Sequence, residues 1–510
     1  MDTLVIGLDA ATYNILDILF DESRLPNLSR LIDDGTAGKL RSTIPPATYP
    51  AWKCYSTGQH PTKLEFQSFL DFDSGELNPA STDAPEIWDY LSAGGDSAVS
   101  INMPTTYPAS RIKGFLTSGY VVSGDDWVSP AELRPFLESE FGYKPLVDFP
   151  VHTELLADDT AEQRAEMRRL MQSRFDLASF TAEHLDPDFM QMTLYYTDTH
   201  QHFFWNDPEI LHEMWEFVDE RVGNLLNQVG DVNVFVVSDH GFHELESGIF
   251  YLNQWLQENG YLKLSERKAS NAMQSFGLTS TGLRDTLDRF GLLGLAREVL
   301  PESYRRQVPN PRGEVGVDQY LDRIEWEDST AFFYGGIYLN ADRLGSRYMT
   351  VRNELADRLE AITSPVTGEP IFERICPPGK VYDTPSSPKN NPRIPDLLVL
   401  PRDNAFASPG ISGSLWNTED LRGRWSVHAR DGIFIASGPD IKAGSSADLE
   451  IFDVAPTILH AMGHSVPDAM DGRVAKEVFE PSSDPATRKV EAQSEVERIR
   501  LAAWSSLEQL

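Results

Sequence analysis

Short apolar, β-branched runs recur along this chain, and each stops abruptly at a polar residue. Val234 to Val237 end in Ser238-Asp239-His240-Gly241, Thr3 to Leu8 end at Asp9, and Gln191–Thr197 ends at Asp198. Gly432–Ala436 ends in Ser437-Gly-Pro. Runs of this kind predict strands buried on both faces of a sheet. Further strands are predicted at Gly38–Ser42, Ser97–Asn102, Phe332–Asn340 and Pro395–Leu400. Between them lie segments with helical spacing: 25–35, Glu86–Gly94, Ile210–Val229, Phe250–Gly260, Arg352–Ile362 and 453–462, several closed by a glycine stop. Strands alternating with helices and no internal repeat predict an α/β fold with a mostly parallel central sheet.

Two stretches interrupt this rhythm. Residues 105–185 are loop-rich and then helical, and residues 264–328 are rich in Arg, Leu and Gly. Both are expected to be helical cap insertions in one catalytic domain spanning 1–480, followed by a charged tail, 481–510. Near the N-terminus, Pro45 and Pro46 precede Thr48 and Pro50 follows Tyr49, which stiffens the backbone. A helix then runs to Thr57 and stops at Gly58, with Pro50 expected at its first position and Thr48 or Tyr49 at its N-terminal end.

Ligands of open α/β sheets bind at the carboxyl ends of strands, which draws the polar residues there into one set. Asp9, Asp198 and Asp239-His240 each follow a strand. His202 lies four residues after Asp198, so on a helix the two share a face. His428, in Ser426-Val-His-Ala-Arg-Asp-Gly432, precedes the strand at 432–436. Three Asp and three His can fill two adjacent metal sites with oxygen and nitrogen donors. Two metals roughly 4 Å apart can clamp a phosphoryl group. Thr48, at a helix N-terminus that favours negative charge, is the candidate nucleophile, because coordination would lower the pKa of its hydroxyl. Ser42 and Thr43 read as strand residues, His200 and His243 as supporting or surface groups, and His460 and His464 as packing. Trp52 reads as core, Lys53 as a solvated lysine and Asp453 as a helix cap; Arg430 is weighed as a substrate contact.

Composition narrows the chemistry further. With 510 residues and 41% hydrophobic content the chain can bury a large core. A formal net charge of −34 argues against a nucleic-acid polymer or an anionic membrane as partner. It would also repel a phosphate substrate unless bound dications reversed the local sign. So acidic a surface suits a halophilic source. Cys54 and Cys376 make no disulfide framework, and the first strand begins without a basic leader, so a cytoplasmic protein is expected. No apolar run is long enough for a transmembrane helix.

The motifs, taken together, resemble the alkaline phosphatase superfamily, in particular its type I phosphodiesterase/nucleotide pyrophosphatase branch. They are Val5-Ile-Gly-Leu-Asp9, Leu25-Pro-Asn-Leu, Pro45-Pro-Ala-Thr-Tyr-Pro-Ala-Trp52 with Thr57-Gly58, Asp198-x-x-x-His202, Val237-Ser-Asp-His-Gly241, His428 with Asp431-Gly432, and Asp453-Val-Ala-Pro-Thr457. The resemblance implies a three-layer α/β/α sandwich and a metal-dependent hydrolase of phosphoric esters, acting on a small-molecule diester through a phospho-threonine intermediate. It implies Asp9, Thr48, Asp239 and His240 around one metal, and Asp198, His202 and His428 around the other. Zinc is expected, with manganese the other metal these ligands suit. A phosphomonoesterase, sulfatase or phosphomutase on the same core is the alternative, and a non-catalytic binding protein the alternative of another class. Lys63-Leu-Glu-Phe-Gln67 departs from the His-Gly-Ile of relatives, and the asparagine that nucleotide pyrophosphatases carry soon afterwards is absent near Phe69.

Overall fold

The computed structural model describes residues 1–65, 84–120, 122, 124–145, 161–265, 320–383, 393–418 and 426–493. The strands labelled below are, in chain order, β1 (Thr3–Leu8), β2 (Gly35–Arg41), β3 (Ala98–Pro104), β4 (Gly114–Gly119), β5 (Val128–Ser129), β6 (Phe189–Leu194) and β7 (Asn233–Val237). They continue with β8 (Gly241–Glu244), β9 (Ser426–Ala429), β10 (Asp431–Ser437), β11 (Ser445–Ser446) and β12 (Leu449–Glu450). The helices used below are α1 (Tyr13–Asp21), α2 (Pro26–Asp33), α3 (Thr48–Thr57), α4 (Pro61–Leu64), α5 (Ile87–Gly94), α6 (Arg134–Phe141) and α7 (Ala161–His184). After them come α8 (Tyr196–Phe204), α9 (Pro208–Val229), α10 (Leu252–Glu258), α11 (Tyr348–Glu360) and α12 (Val454–Ala461).

The main sheet has the order β11-β2-β10-β7-β1-β6-β3-β4-β5, with β12 also on β2. β1 sits centrally and is parallel to both β6 and β7. β3 is parallel to β6 and β4. The exceptions are β10, antiparallel to β2 and β7, and β5, antiparallel to β4. Because successive strand residues point to opposite faces, β1 feeds two cores. Leu4, Ile6 and Leu8 pack with buried residues of α1, α2, α7 and α9. Val5 packs on the other side with α3, α5 and α12. The result is a three-layer α/β/α sandwich, as the resemblance implied. A third cluster lies apart: Leu252 and Leu256 of α10, Leu355 and Leu359 of α11, and the hairpin Ala331–Phe333 with Ile337–Leu339.

Several boundaries differ from expectation for visible reasons. β6 ends at Leu194 rather than Thr197, and Asp198 lies in the first turn of α8. Thr197 turns back there, its hydroxyl lying 2.7 Å from the Asp9 carbonyl and 2.8 Å from that of Leu194. Residues 105–185 do more than cap: β4 and β5 extend the sheet, and Leu170, Met171, Phe175 and Ala178 of α7 cover one face. The Gly and Ser/Thr content of β4 hid it from a search for apolar runs. α1 was not foreseen, although Thr12 caps it and Ile15, Leu16 and Leu19 mark its buried side. Phe332–Asn340 is a hairpin rather than one strand. Most of the cap expected at 264–328, the region around Phe69 and the tail beyond 493 lie outside the described residues.

α3 is anchored by a buried polar knot. Lys53 Nζ lies 3.0 Å from Glu86 Oε1, and Ser56 donates to the same oxygen at 2.7 Å. Lys53 is therefore an interior ion-pair partner, not a solvated lysine. The Glu86 N–H in turn donates to Asp89 Oδ2 at 2.8 Å. Burial, then the nearby Glu86 charge, push the Asp89 carboxyl up to about 7. Between the usual carboxylate value and 7 the folded chain holds a proton that the unfolded chain has released, so stability falls as pH rises through that window. We expect Asp89→Asn to flatten this decline. Urea unfolding at pH 4.5, 5.5, 6.5 and 7.5 measures it, with a slope difference below the roughly 1.4 kcal/mol per pH unit of a full proton.

Candidate active site

All seven sequence-predicted site residues meet at the carboxyl ends of β1, β6 and β7. Asp9 leaves β1 directly, and Ala10 after it takes φ 61°, a left-handed conformation costly for a residue with a Cβ. That turn aims the Ala10 N–H at Asp239 Oδ1, 3.1 Å away. Ser238, just after β7, accepts the Ile433 N–H at 2.7 Å and donates to the Ala11 carbonyl at 3.0 Å. It ties the Asp239-His240 turn to β10 and to the loop after β1. Gly432 is required there, since a Cβ on it would come 2.2 Å from the Ser238 hydroxyl.

One group of side chains gathers at His240. Its Nε2 lies 3.3 Å from Asp239 Oδ2, 3.7 Å from Asp9 Oδ1 and 3.3 Å from Thr48 Oγ1. Its Nδ1 is 3.0 Å from the Gly241 carbonyl, an acceptor, so Nδ1 carries the hydrogen and Nε2 presents a lone pair. Thr48 is the first residue of α3, after Ala47 in extended conformation at φ −154°. Pro50 thus falls at the third helical position, not the first.

The second group is a triangle. Asp198 Oδ1 lies 3.3 Å from His202 Nε2 and 3.3 Å from His428 Nε2, and the two imidazole nitrogens are 3.0 Å apart. Asp198 and His202 share one face of α8, as their spacing foretold. His428 arrives on β9, which pairs with β8 so that His428 stands opposite Phe242. Its Nδ1 faces the Pro46 carbonyl at 3.3 Å, which again leaves Nε2 as the inward lone pair. The rings of His240 and His428 stack at 3.8 Å and join the two groups.

The electrostatics show what the site lacks as bare protein. Asp9 Oδ1, Asp198 Oδ1 and Asp239 Oδ2 are buried and accept no hydrogen bond. Among the described residues no Lys or Arg forms an ion pair with any of the three. Burial, followed by repulsion from Asp239 and then Asp198, drives the Asp9 carboxyl well above its usual value. Burial does the same to Asp239. Burial and then His428 push the His240 imidazole well below its usual value, keeping it neutral. Buried carboxylate oxygens facing imidazole nitrogens form a donor set for cations. Asp9, Asp239 and His240 offer ligand atoms within 4.8 Å of one another, as do Asp198, His240 and His428.

Other expectations resolve differently. Arg430 is occupied away from the site by the Ser42 carbonyl at 3.2 Å and Glu450 at 3.2 Å. His200 is buried, with Nδ1 3.0 Å from the Tyr196 carbonyl, and burial lowers it to about 4. His243 is partly exposed and bonded to the Glu244 carbonyl. Asp453 stands at the N-cap of α12, as read, though its side chain serves the turn before it, accepting the Glu450 N–H in a capping box and also the Arg473 N–H. Trp52, read as core, is buried but also donates its indole N–H to Asp9 Oδ2 at 3.0 Å. Its place one turn beyond Thr48 was the only available signal.

The family match, on this fold, makes the chain a phosphoric ester hydrolase of the alkaline phosphatase superfamily. It belongs to the type I phosphodiesterase / nucleotide pyrophosphatase family, whose profile matches residues 3–424 and so stops short of His428. A comparison with curated protein sequences finds no match. Among solved structures, phosphonoacetate hydrolase from Sinorhizobium meliloti 1021 in complex with phosphonoformate is similar at 14% identity and TM-score 0.54, over 91% of this chain and 95% of that one. Murine ectonucleotide pyrophosphatase / phosphodiesterase 5 is similar at 12% identity and TM-score 0.51, over 94% and 100%. The alkaline phosphatase PafA is similar at 14% identity and TM-score 0.52, over 94% and 99%. At these identities the likeness is one of fold. No helix among the described residues is long and apolar enough to cross a membrane.

Ser238 gives a direct check on how the site is held. Ser238→Ala leaves the buried Ile433 N–H without an acceptor and is expected to cost about 1–3 kcal/mol, measured as a lower urea midpoint with an unchanged m-value.

Proposed function

We propose that this protein is a metal-dependent phosphodiesterase acting on small-molecule phosphoric diesters, with Thr48 as nucleophile and a covalent phospho-threonine intermediate. The observation that carries the reading is the meeting of three unsatisfied buried carboxylate oxygens and inward imidazole lone pairs beside the Thr48 hydroxyl. Asp9, Asp239, His240 and Thr48 would hold one divalent cation, and Asp198, His202 and His428 the other. When bound, such ions lower the pKa of a coordinated hydroxyl and offset the charge on the phosphoryl oxygens. Oxygen and nitrogen donors in this mixture suit zinc or manganese.

The residues then divide the work. α3 presents Thr48 Oγ at its N-terminus, where helix N–H groups favour the negative charge that grows during attack. Thr48 Oγ forms a bond to phosphorus, the ester P–O bond breaks, and the departing alkoxide takes up a proton as alcohol. Water then attacks the phospho-threonine, the P–O bond to Thr48 breaks, and the hydroxyl is regenerated with release of the monoester. A diester is favoured over a monoester by the family match. AMP occupies a complex of the murine phosphodiesterase 5 relative, which supports a nucleotide-sized organic group here. A sulfatase usually converts cysteine or serine to formylglycine, and Thr48 offers neither.

Bis(4-nitrophenyl) phosphate is the test substrate. Hydrolysis is expected to disappear on chelation, to return with zinc or manganese, and to fall by about a thousandfold or more in Thr48→Ala. Acid-quenched turnover should trap phosphate on the peptide containing Thr48. Full activity in Thr48→Ala, or in metal-stripped protein, would overturn the reading.

A further inference from the structure

We infer that Trp52 is a positioning residue for the metal site, dictating which oxygen of Asp9 binds. The inference rests on the two-metal reading above but concerns a residue outside the proposed ligand set. Trp52 is fully buried, and its indole N–H donates to Asp9 Oδ2 at 3.0 Å. An indole nitrogen only donates, so this contact occupies a lone pair of Oδ2 and fixes the plane of the carboxylate. It leaves Oδ1, the oxygen that accepts nothing and faces His240, as the freer donor toward a cation. Asp239 is arranged the same way: the Ala10 N–H takes Oδ1 and leaves Oδ2 bare. Each carboxylate thereby turns one unbonded oxygen inward, with its plane fixed.

A second feature shows that room was made for this ring. Gly7 in β1 has an ordinary backbone conformation, so no turn demands a glycine there. A Cβ on Gly7 would instead lie 2.6 Å from the Cη2 edge of the Trp52 indole. The strand carrying Asp9 thus omits a side chain two residues earlier, and the indole fills that space. On α3, Trp52 follows Thr48 by one turn, so the two share a helix face. Thr48 meets His240 from that face and Trp52 meets Asp9. One rigid helix therefore sets the nucleophile and a ligand oxygen together.

Groups that orient metal ligands from behind typically contribute ten- to hundredfold in metal affinity. The test is a competition titration of metal-stripped protein with a chromophoric zinc chelator. The proteins compared are wild type, Trp52→Phe, Gly7→Ala and a chain carrying benzothienylalanine at position 52. That last replacement keeps the bicyclic shape with sulfur in place of N–H, so it guards against a packing defect in the phenylalanine variant. Wild type should bind in two phases. We expect Trp52→Phe and the benzothienyl protein to weaken one phase by about ten- to hundredfold and leave the other unchanged, with Gly7→Ala shifting the same phase. Wild-type affinity in both phases of the benzothienyl protein, or an equal shift of both, would overturn the inference while leaving the two-metal reading intact. Failure of wild type to bind zinc at all would overturn both.

Discussion

Three carboxylates buried without a basic partner are the constraint around which this molecule is built. Removing a charged carboxylate from water is costly unless a counter-charge or hydrogen bonds compensate. Here Asp9 receives the Trp52 N–H and Asp239 the Ala10 N–H, and the other oxygen of each faces the His240 nitrogen. Such a cluster persists because the elements beneath it are rigid. β1, β6 and β7 are adjacent and parallel, so their carboxyl ends share one edge. The loops leaving them are stitched together by Ser238, Thr197 and the Ala10 N–H.

The same logic explains why α3 is so heavily anchored. Every residue of this helix is buried, including Lys53. Its lysine is matched by Glu86, and its tryptophan reaches Asp9. A helix that moved would disturb both the Thr48 hydroxyl and the Asp9 carboxylate. The net charge of −34 belongs to the chain as a whole, whereas the interior cluster is a local concentration of carboxylates. The two coexist because the cluster is buried at the carboxyl ends of the central strands.

Much of this was legible in the sequence. Apolar β-branched runs ending in Asp marked β1 and β7 because strands buried on both faces need such residues, and the i, i+4 spacing of Asp198 and His202 implied one helix face. What stayed hidden depends on distant contacts. β4 and β5 carry too few apolar residues to announce themselves, and the pairing of β9 with β8 that delivers His428 joins segments far apart in the chain. Arg430 looked available for substrate until Glu450 and the Ser42 carbonyl were seen to hold it. Trp52 looked like filler because a large apolar ring in a helix usually is; its single polar atom finds Asp9 only once α3 lies against β1.

The placement of β10 bears on how the polypeptide is made. β2 emerges early from the ribosome, yet its pairing partners are β10, β11 and β12, and Lys39 meets Asp431 across 392 residues. While the intervening chain is being translated, the nascent protein carries Gly35–Arg41 as an open edge, the kind of surface that recruits wrong neighbours. The same late segment brings His428. Sealing of the edge and completion of the Asp/His cluster are therefore one event in biosynthesis, and a chain released before that point would have neither.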